Sequence, residues 1–456
     1  MHAPMPSSPT TPPPGRGGTW SVGTLTYSLN GLVVLFGLLL LGDFAYSLRE
    51  RSVVPISQVM LRQQHASDLI TSLIYGSIPA ILTMVMWPIL SVWSDRTRTG
   101  WGRRIPFLLI PTPLVCLAMV GLAFSPMMGR WLHGVMGGTG SVETWIIGVF
   151  AICWIVFEVF ALISSNLFTA LVADVVPSQV IGRFFAMFRM VSLGAGIFFN
   201  FSLLKHAEDH YIPLFLGIAA VYFVGFTIMC LFVKEGQYPP PPPVSGPTLG
   251  RIGGTIRETI RSPFYVLLFL TLALVALGGM PGNIFMFNMA KSYALDLDQF
   301  GKAQALIYAI SIVLSFPIGW LSDRFHPMRT AFACLAVFFS LNLVAALYVS
   351  DARSFQVMFV LISVAGGAYM TASASLMPRL FPRLQFSQFF AAANVVINLF
   401  AFLGTPLLGW IIDLSGHWYQ LVYIASALLL GGSLACWLVL FRFFKRLGGF
   451  DHYQAP

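Results

Sequence analysis

The sequence predicts an all-α integral membrane protein: twelve transmembrane helices forming two pseudo-symmetric six-helix bundles. Three observations lead there. The 456-residue chain is 57% hydrophobic but only 9% charged, with a mean hydropathy of +0.79, whereas a water-soluble domain carries about a quarter charged residues. Twelve apolar runs of about 20 residues or more can be drawn, each long enough to cross a ~30 Å hydrocarbon layer. Two landmarks recur once per half: Ser94-Asp95-Arg96 with Ser322-Asp323-Arg324, and Pro177 to Ala186 with Pro382 to Ala391, both of the latter ending Phe-Phe-Ala.

Taken in order, residues 1–24 begin with a Pro-, Ser- and Gly-rich stretch expected to be a disordered cytoplasmic tail. The first apolar run starts near Leu25 and is too long for the core of a cleavable leader, so it is expected to stay as the first span. The first bundle, 25–233, holds spans at 28–57, 68–93, 105–125, 144–172, 184–204 and 212–233. Residues 234–263 form a cytoplasmic linker. Pro239 to Pro243 there cannot be helical, and Ile252, Ile256 and Ile260 recur beside Arg251, Arg257 and Arg261, the pattern of a short amphipathic helix on the inner leaflet. The second bundle, 264–446, holds spans at 264–289, 300–321, 330–349, 355–378, 386–412 and 419–443, and 447–456 is a cytoplasmic tail.

The charge pattern orients the chain. Seventeen of the 26 basic residues fall on the side of the two termini and six on the other. Both ends are therefore expected in the cytoplasm, in the cytoplasmic (inner) membrane. The net charge of +9 sits in short inter-helix loops that face anionic lipid, with no basic patch carrying stacking aromatics, so no nucleic-acid partner is expected. The five cysteines lie singly in apolar runs, with no Cys-x-x-Cys pair. No metal site and no cofactor is expected.

A charge in hydrocarbon costs about 2.5 kcal/mol or more, so each invites a functional reading. In the first span Asp43, Tyr46, Ser47 and Glu50 share a 100°-wide stripe bordered by Arg51, with Glu50 about 10 Å beyond Asp43. Such a stripe can hold sugar hydroxyls and accept a proton. Glu158 in span 4 and Arg189 in span 5 can face the same cavity, with Arg189 holding a carboxylate ionised. Asp43, Glu50, Glu158 and Arg189 are thus the proton-coupling candidates. Tyr46, Ser47, Arg51 and Trp87 are substrate candidates from the first half. In the second half Gly278-Gly279-Met280-Pro281-Gly282 is expected to break span 7, a pointer to a binding site, with Asn283, Asn288, Asn394 and Asn398 as neutral hydroxyl partners.

The charged loop 94–104 between spans 2 and 3, repeated at 322–324, resembles the corresponding loop of the major facilitator superfamily. Pro88 through Phe107, with Gly102-Arg103-Arg104 and Pro106-Phe107, is similar to that segment in sucrose transporters and the glycoside–pentoside–hexuronide symporters. Ala170 to Pro177, followed by Gly182-Arg183, resembles those families' helix 4–5 loop. The resemblance implies two bundles that rock around a central site, and a cytoplasmic gate made by Asp95, Arg96, Arg103, Arg104, Asp174, Arg183, Asp323 and Arg324. One departure matters: the two aspartates that sodium-coupled melibiose-type members carry on helix 2 are replaced by Thr83 and Trp87, which argues against a sodium site of that kind.

The expected function is secondary active transport: proton-coupled symport of a sugar or glycoside, by a monomer embedded in lipid. The alternative is facilitation or symport of an organic anion or hexuronate held by Arg49, Arg51 and Arg189. A multispan membrane enzyme is a minor alternative, since no large loop carries the acidic clusters such enzymes use.

Overall fold

The computed structural model describes residues 19–237, 262–382, 386–453 and 455; the polyproline stretch and amphipathic segment expected in the linker lie outside the described residues. Lipid offers no hydrogen bonds, so a chain crossing it must satisfy its backbone internally, and helices do so within one segment. Twelve helices are long and apolar enough to cross: α1 Leu29–Gln63, α2 Asp68–Trp87, α3 Ile105–Val135, α4 Val142–Val175, α5 Ile181–His206 and α6 Tyr211–Phe232 in the first half. The second half has α7 Pro263–Ile284, α8 Leu297–Phe325, α9 Pro327–Tyr348, α10 Ala352–Leu380, α11 Gln388–Leu414 and α12 Gln420–Arg446. The start of α1 and the end of α12 share one side, called here the terminal face; the other side is the opposite face.

Several expectations need correction. Residues 20–24, expected in the disordered tail, belong to a hairpin of β1 Trp20–Val22 and β2 Leu25–Tyr27, paired Trp20 to Tyr27 across a turn in which Gly23 supplies φ +55°. Polar residues do not prevent a two-residue turn when a glycine takes the left-handed position. α1 extends to Gln63, through Pro55. Helix 2 contains a π-turn at Leu73–Ser77 just before Pro79, whose missing N–H already interrupts the ladder, and its last segment runs on to Arg96. α7 is not broken at Gly278–Gly282. Pro281 is accommodated inside the helix, which stops at Ile284 and resumes as a short turn, Met286–Ser292.

Two hydrophobic cores hold the molecule. One runs through the first bundle and continues into the opposite-face ends of the second, taking in Phe285, Phe300, Val349, Phe355, Leu408 and Ile412. The other is confined to the terminal-face half of the second bundle, around Tyr265, Phe381, Phe389 and Trp437. The bundles therefore share apolar packing at the opposite face and part company towards the terminal face. Small residues allow the shared seam. A Cβ at Gly76 of α2 would lie 2.2 Å from Thr405 Oγ1 of α11, and one at Gly301 of α8 would lie 2.2 Å from the Asn200 carbonyl oxygen of α5.

At the terminal face the residues after α6 grip the start of α3. The Glu235 carboxylate accepts backbone N–H bonds from Arg103, Arg104 and Ile105 at 3.0, 2.8 and 2.7 Å, filling orphan donors of the helix start. Thr24 Oγ1 accepts the Gln237 N–H at 2.8 Å, tying in the hairpin. The C-terminal tail folds back. The Tyr453 hydroxyl donates to the Leu380 carbonyl at 2.8 Å, and Phe450 lies between the His326 ring and the Arg329 guanidinium, 3.8 Å from its ring centre.

Removal of the cap in Glu235→Ala is expected to lower the thermal midpoint of the purified protein, at about 1 kcal/mol for the lost cap. His326 supplies a pH dependence. Its Nδ1 accepts the Met328 N–H at 3.2 Å, which only the neutral ring can do. Burial, then Arg379 and Arg329, push its pKa below the ordinary value. A depressed imidazole keeps this corner intact above about pH 6.5 and loosens it as the pH falls through the lowered value. Hydrogen exchange at residues 449–453 should be slow at neutral pH and rise on acidification, whereas Phe450→Ala should exchange fast throughout.

Candidate functional site

The polar stripe on α1 forms as its spacing predicts, but its members divide. Asp43 is fully buried, accepts a 3.1 Å bond from Ser47 Oγ on one oxygen and has no protein partner on the other. Glu50, two turns on, is exposed, with no ion pair among the described residues. Tyr46 turns into an aromatic cluster with Phe168 and Phe226. Arg51, expected at the substrate, is held by protein groups: Nε and Nη2 donate to the Ser192 carbonyl and hydroxyl at 3.0 and 3.1 Å, and the guanidinium covers the Tyr308 ring at 4.9 Å. It thereby joins α1, α5 and α8 across the bundle seam.

Arg49 is the centre that sequence reasoning undervalued. It is 3% exposed, and its guanidinium lies 4.8, 5.0 and 5.7 Å from the ring centres of Tyr46, Tyr222 and Phe157, on α1, α6 and α4. Its Nε and Nη1 have no protein acceptor. Half-buried Glu158, next to Phe157, feels Arg49 as its neighbouring charge. Arg189 does not play that part. It is exposed in a cleft of about 320 Å³ between α5, α8 and α10, beside Phe185, Met190, Ser315, Phe316 and Thr371. The helical stripe singles out Arg51 and passes over Arg49; only the ring faces of distant helices mark Arg49.

The expected neutral partners also divide. Asn283 is exposed and bonds back to the Gly279 carbonyl, while its own carbonyl accepts from Gln58 Nε2 at 3.3 Å. Asn394 and Asn398 donate to Phe390 and Asn394 carbonyls of their own helix, leaving their amide oxygens for other donors. Trp87 is 40% exposed on α2. Asn288 is removed from the substrate group, because its amide donates at 2.8 Å to Asp68 at the opposite face.

Four of the eight expected gate residues, Arg103, Arg104, Asp174 and Asp323, fall into two clusters, each within one bundle. Asp174 of α4 is gripped by Arg103 at 2.7 Å and by Arg104 at 3.3 Å, and Arg104 also donates to Ser94 Oγ at 2.6 Å. Asp323 pairs with Arg379 at 3.2 Å. Arg324 covers the Trp320 and Phe325 rings with no ion pair among the described residues, and Arg183 is exposed and outside the cluster. Arg96 ends its helix exposed, and the Asp95 side chain lies outside the described residues.

At the opposite face the two bundles meet through side chains that were not foreseen. Asp68 accepts bonds from Asn288, His417 and Tyr419, and Asp413 accepts the Asp68 and Leu69 backbone N–H groups. Ser77 Oγ donates to the Phe402 carbonyl, and Arg62, paired with Glu208, donates to the Phe287 carbonyl. Ligand atoms of Asp68, Asp413 and His417 lie within 4.8 Å of one another, yet every carboxylate oxygen of the set already has a protein donor. The signal was present: carboxylates at the outer ends of helices 2 and 11, each next to a break.

Residues 268–447 match the Major Facilitator Superfamily model. The whole fold is similar to a bacterial homolog of the human lysosomal transporter Spinster in an inward-facing, unoccupied conformation, at TM-score 0.65 and 15% identity, covering 93% of this chain and 98% of that one. It is likewise similar to a D-xylose–proton symporter, at TM-score 0.60 and 14% identity over 90% and 98% of the two chains. The second half of the chain thus matches that family, and the whole chain has the fold of these transporters, that of a multi-pass membrane protein with twelve spanning helices among the described residues. Among curated relatives, proton-associated sugar transporter A of Mus musculus is 30% identical over 133 residues, 29% of this chain and 16% of its own length. Sucrose transport protein SUT1 of Oryza sativa subsp. japonica is 34% identical over 100 residues, 22% and 18%. The chain thus aligns with less than a fifth of the length of either.

The seam at the opposite face tests its own packing. In Gly301→Ala the new methyl meets a backbone carbonyl that no rotamer change can move. The variant should label more readily than wild type with a membrane-impermeant thiol reagent at a cysteine placed on Asn283, with its amount in the membrane unchanged.

Proposed function

We propose that the protein is a proton-coupled symporter that carries a sugar or glycoside across the cytoplasmic membrane by alternating access, with both termini in the cytoplasm. The observation that carries the reading is the interior of the first bundle. Asp43 and Glu158 lie near the middle of α1 and α4, neither in an ion pair among the described residues, and Glu158 has the ring-covered Arg49 guanidinium as its neighbouring charge. A carboxylate so placed can load and release a proton as the adjoining cavity wets and dries. Exposed Glu50 stands two turns beyond Asp43 along the same helix face.

The cargo class is supported by the partial similarity to a proton-associated sugar transporter and a sucrose transporter, and by fold similarity to a D-xylose–proton symporter. Asn283, Asn394, Asn398 and exposed Trp87 supply the amides and the aromatic face with which proteins bind sugar hydroxyls and rings. The excess of basic residues on the terminal face supports its cytoplasmic placement, and the state described is then sealed on the outer side. A second reading, transport of an organic anion or hexuronate, is favoured by Arg189, which stands in the inter-bundle cleft with no ion pair among the described residues.

External pH in a lightly buffered suspension of expressing cells should rise on addition of one glycoside from a panel, and not in cells without the protein. Asp43→Asn should reduce accumulation to the equilibrium level while sparing exchange of sugar for sugar; Glu158→Gln should do the same. Alkalinisation by hexuronates alone would transfer the cargo to the second reading. Full accumulation by Asp43→Asn would remove Asp43 from the proton path.

A further inference from the structure

The carboxylate of Asp68 is 1% exposed, yet every side chain that donates to it belongs to the other bundle. Asn288 Nδ2 lies 2.8 Å from Oδ1, His417 Nδ1 lies 2.7 Å from Oδ2, and the Tyr419 hydroxyl lies 3.1 Å from both. These donors come from the turn after α7 and from the connection between α11 and α12. The exchange is reciprocal. Asp413 of α11 places Oδ1 and Oδ2 at 2.8 and 2.9 Å from the backbone N–H groups of Asp68 and Leu69, the orphan donors that open α2. The two helices come close enough because α11 has a glycine there: a Cβ at Gly409 would stand 2.5 Å from the Asp68 carbonyl oxygen.

A vestibule of about 660 Å³ lies directly over this knot, lined by Arg62, His65, Asn288, Lys291, Asp413 and His417 among others. Arg62 is engaged by Glu208, and His417 stands 3.8 Å from Asp413 as well as against Asp68. Burial, and then the Asp68 charge, push the Tyr419 phenol above its ordinary pKa, so it remains a donor. Elsewhere on the seam small residues pack, as Gly76 against Thr405 and Gly301 against Asn200, and the cations Arg51 and Arg62 meet a ring and a backbone carbonyl of the other bundle.

We propose that Asp68 is the charged latch of the gate at the opposite face, and that its ionised carboxylate sets the balance between the sealed state and the state open at that face. When the bundles separate here, Asp68 loses all three side-chain donors at once, and water entering from the vestibule replaces them. An ionised acceptor served by several donors is stronger than neutral packing and stays reversible. The proposal rests on alternating access between the bundles and not on the identity of the cargo or of the coupling ion.

The test is conformational. Spin labels on Thr139 and Ser350, exposed loop residues of the two bundles on the opposite face, report the spacing of the bundles by pulsed electron resonance in detergent or nanodiscs, without substrate. Asp68→Asn, which keeps size but turns an acceptor oxygen into an N–H₂ facing donors, should enlarge the long-distance population roughly tenfold, the effect of losing one charge-assisted bond. Tyr419→Phe and Asn288→Ala, each removing a single donor, should shift it in the same direction by less. Asp298→Asn on the same face, where the carboxylate pairs only with Lys302 of its own helix at 2.5 Å, should leave the distances unchanged. Should Asp68→Asn fail to fold, the two donor variants decide. Distance distributions identical to wild type in the folded variants overturn the proposal, whereas a shift with no sugar-induced alkalinisation would preserve the latch and remove the sugar reading.

Discussion

A guanidinium placed at the middle of a bilayer costs several kcal/mol unless protein replaces its water. Arg49 is the point at which this molecule meets that demand. Three ring faces surround it, and a desolvated cation over an aromatic face gains about 2 kcal/mol. Because the rings come from α1, α4 and α6, satisfying the charge also draws three helices of the first bundle together. Rings and not carboxylates cover it, and neighbouring Glu158 is in no ion pair among the described residues.

The rest of the architecture follows from where the bundles touch. Apolar packing is continuous between them at the opposite face and splits into separate cores towards the terminal face. Polar contacts obey the same division. Arg51 with Tyr308, Gln58 with Asn283, and Asp68 with its three donors all cross the seam, while Asp174 with Arg103 and Asp323 with Arg379 brace helices of a single bundle. A rocking motion can then break one set of contacts while each bundle keeps its own bracing intact.

Comparison of expectation with structure shows which kinds of information are local. The spans were legible because hydropathy accumulates over about twenty neighbours, and the Asp43–Ser47 stripe because helical periodicity acts over four. The setting of Arg51 is not local: its partners, Ser192 and Tyr308, lie 141 and 257 residues away. Asn288 was assigned to sugar because an amide beside a proline-kinked helix suits that role; its actual partner, Asp68, is 220 residues away. The kink itself was misplaced by a few residues. A helix in a packed bundle tolerates Pro281 when neighbours hold it, and yields only where the next turn lacks that support.

By itself, then, the sequence determined a twelve-span membrane chain in two related halves, the side on which basic loops collect, and the helix face that carries Asp43 and Ser47. These depend on composition and short-range periodicity, which folding does not alter. Tertiary structure alone decided which arginine is caged by rings, which binds backbone, and which stands free in a cleft. It also decided that Asp68, an unremarked acid at a helix end, becomes the meeting point of both bundles. Those outcomes depend on the approach of helices distant in sequence, set by glycines at the seam and by the need of each buried polar group for a partner.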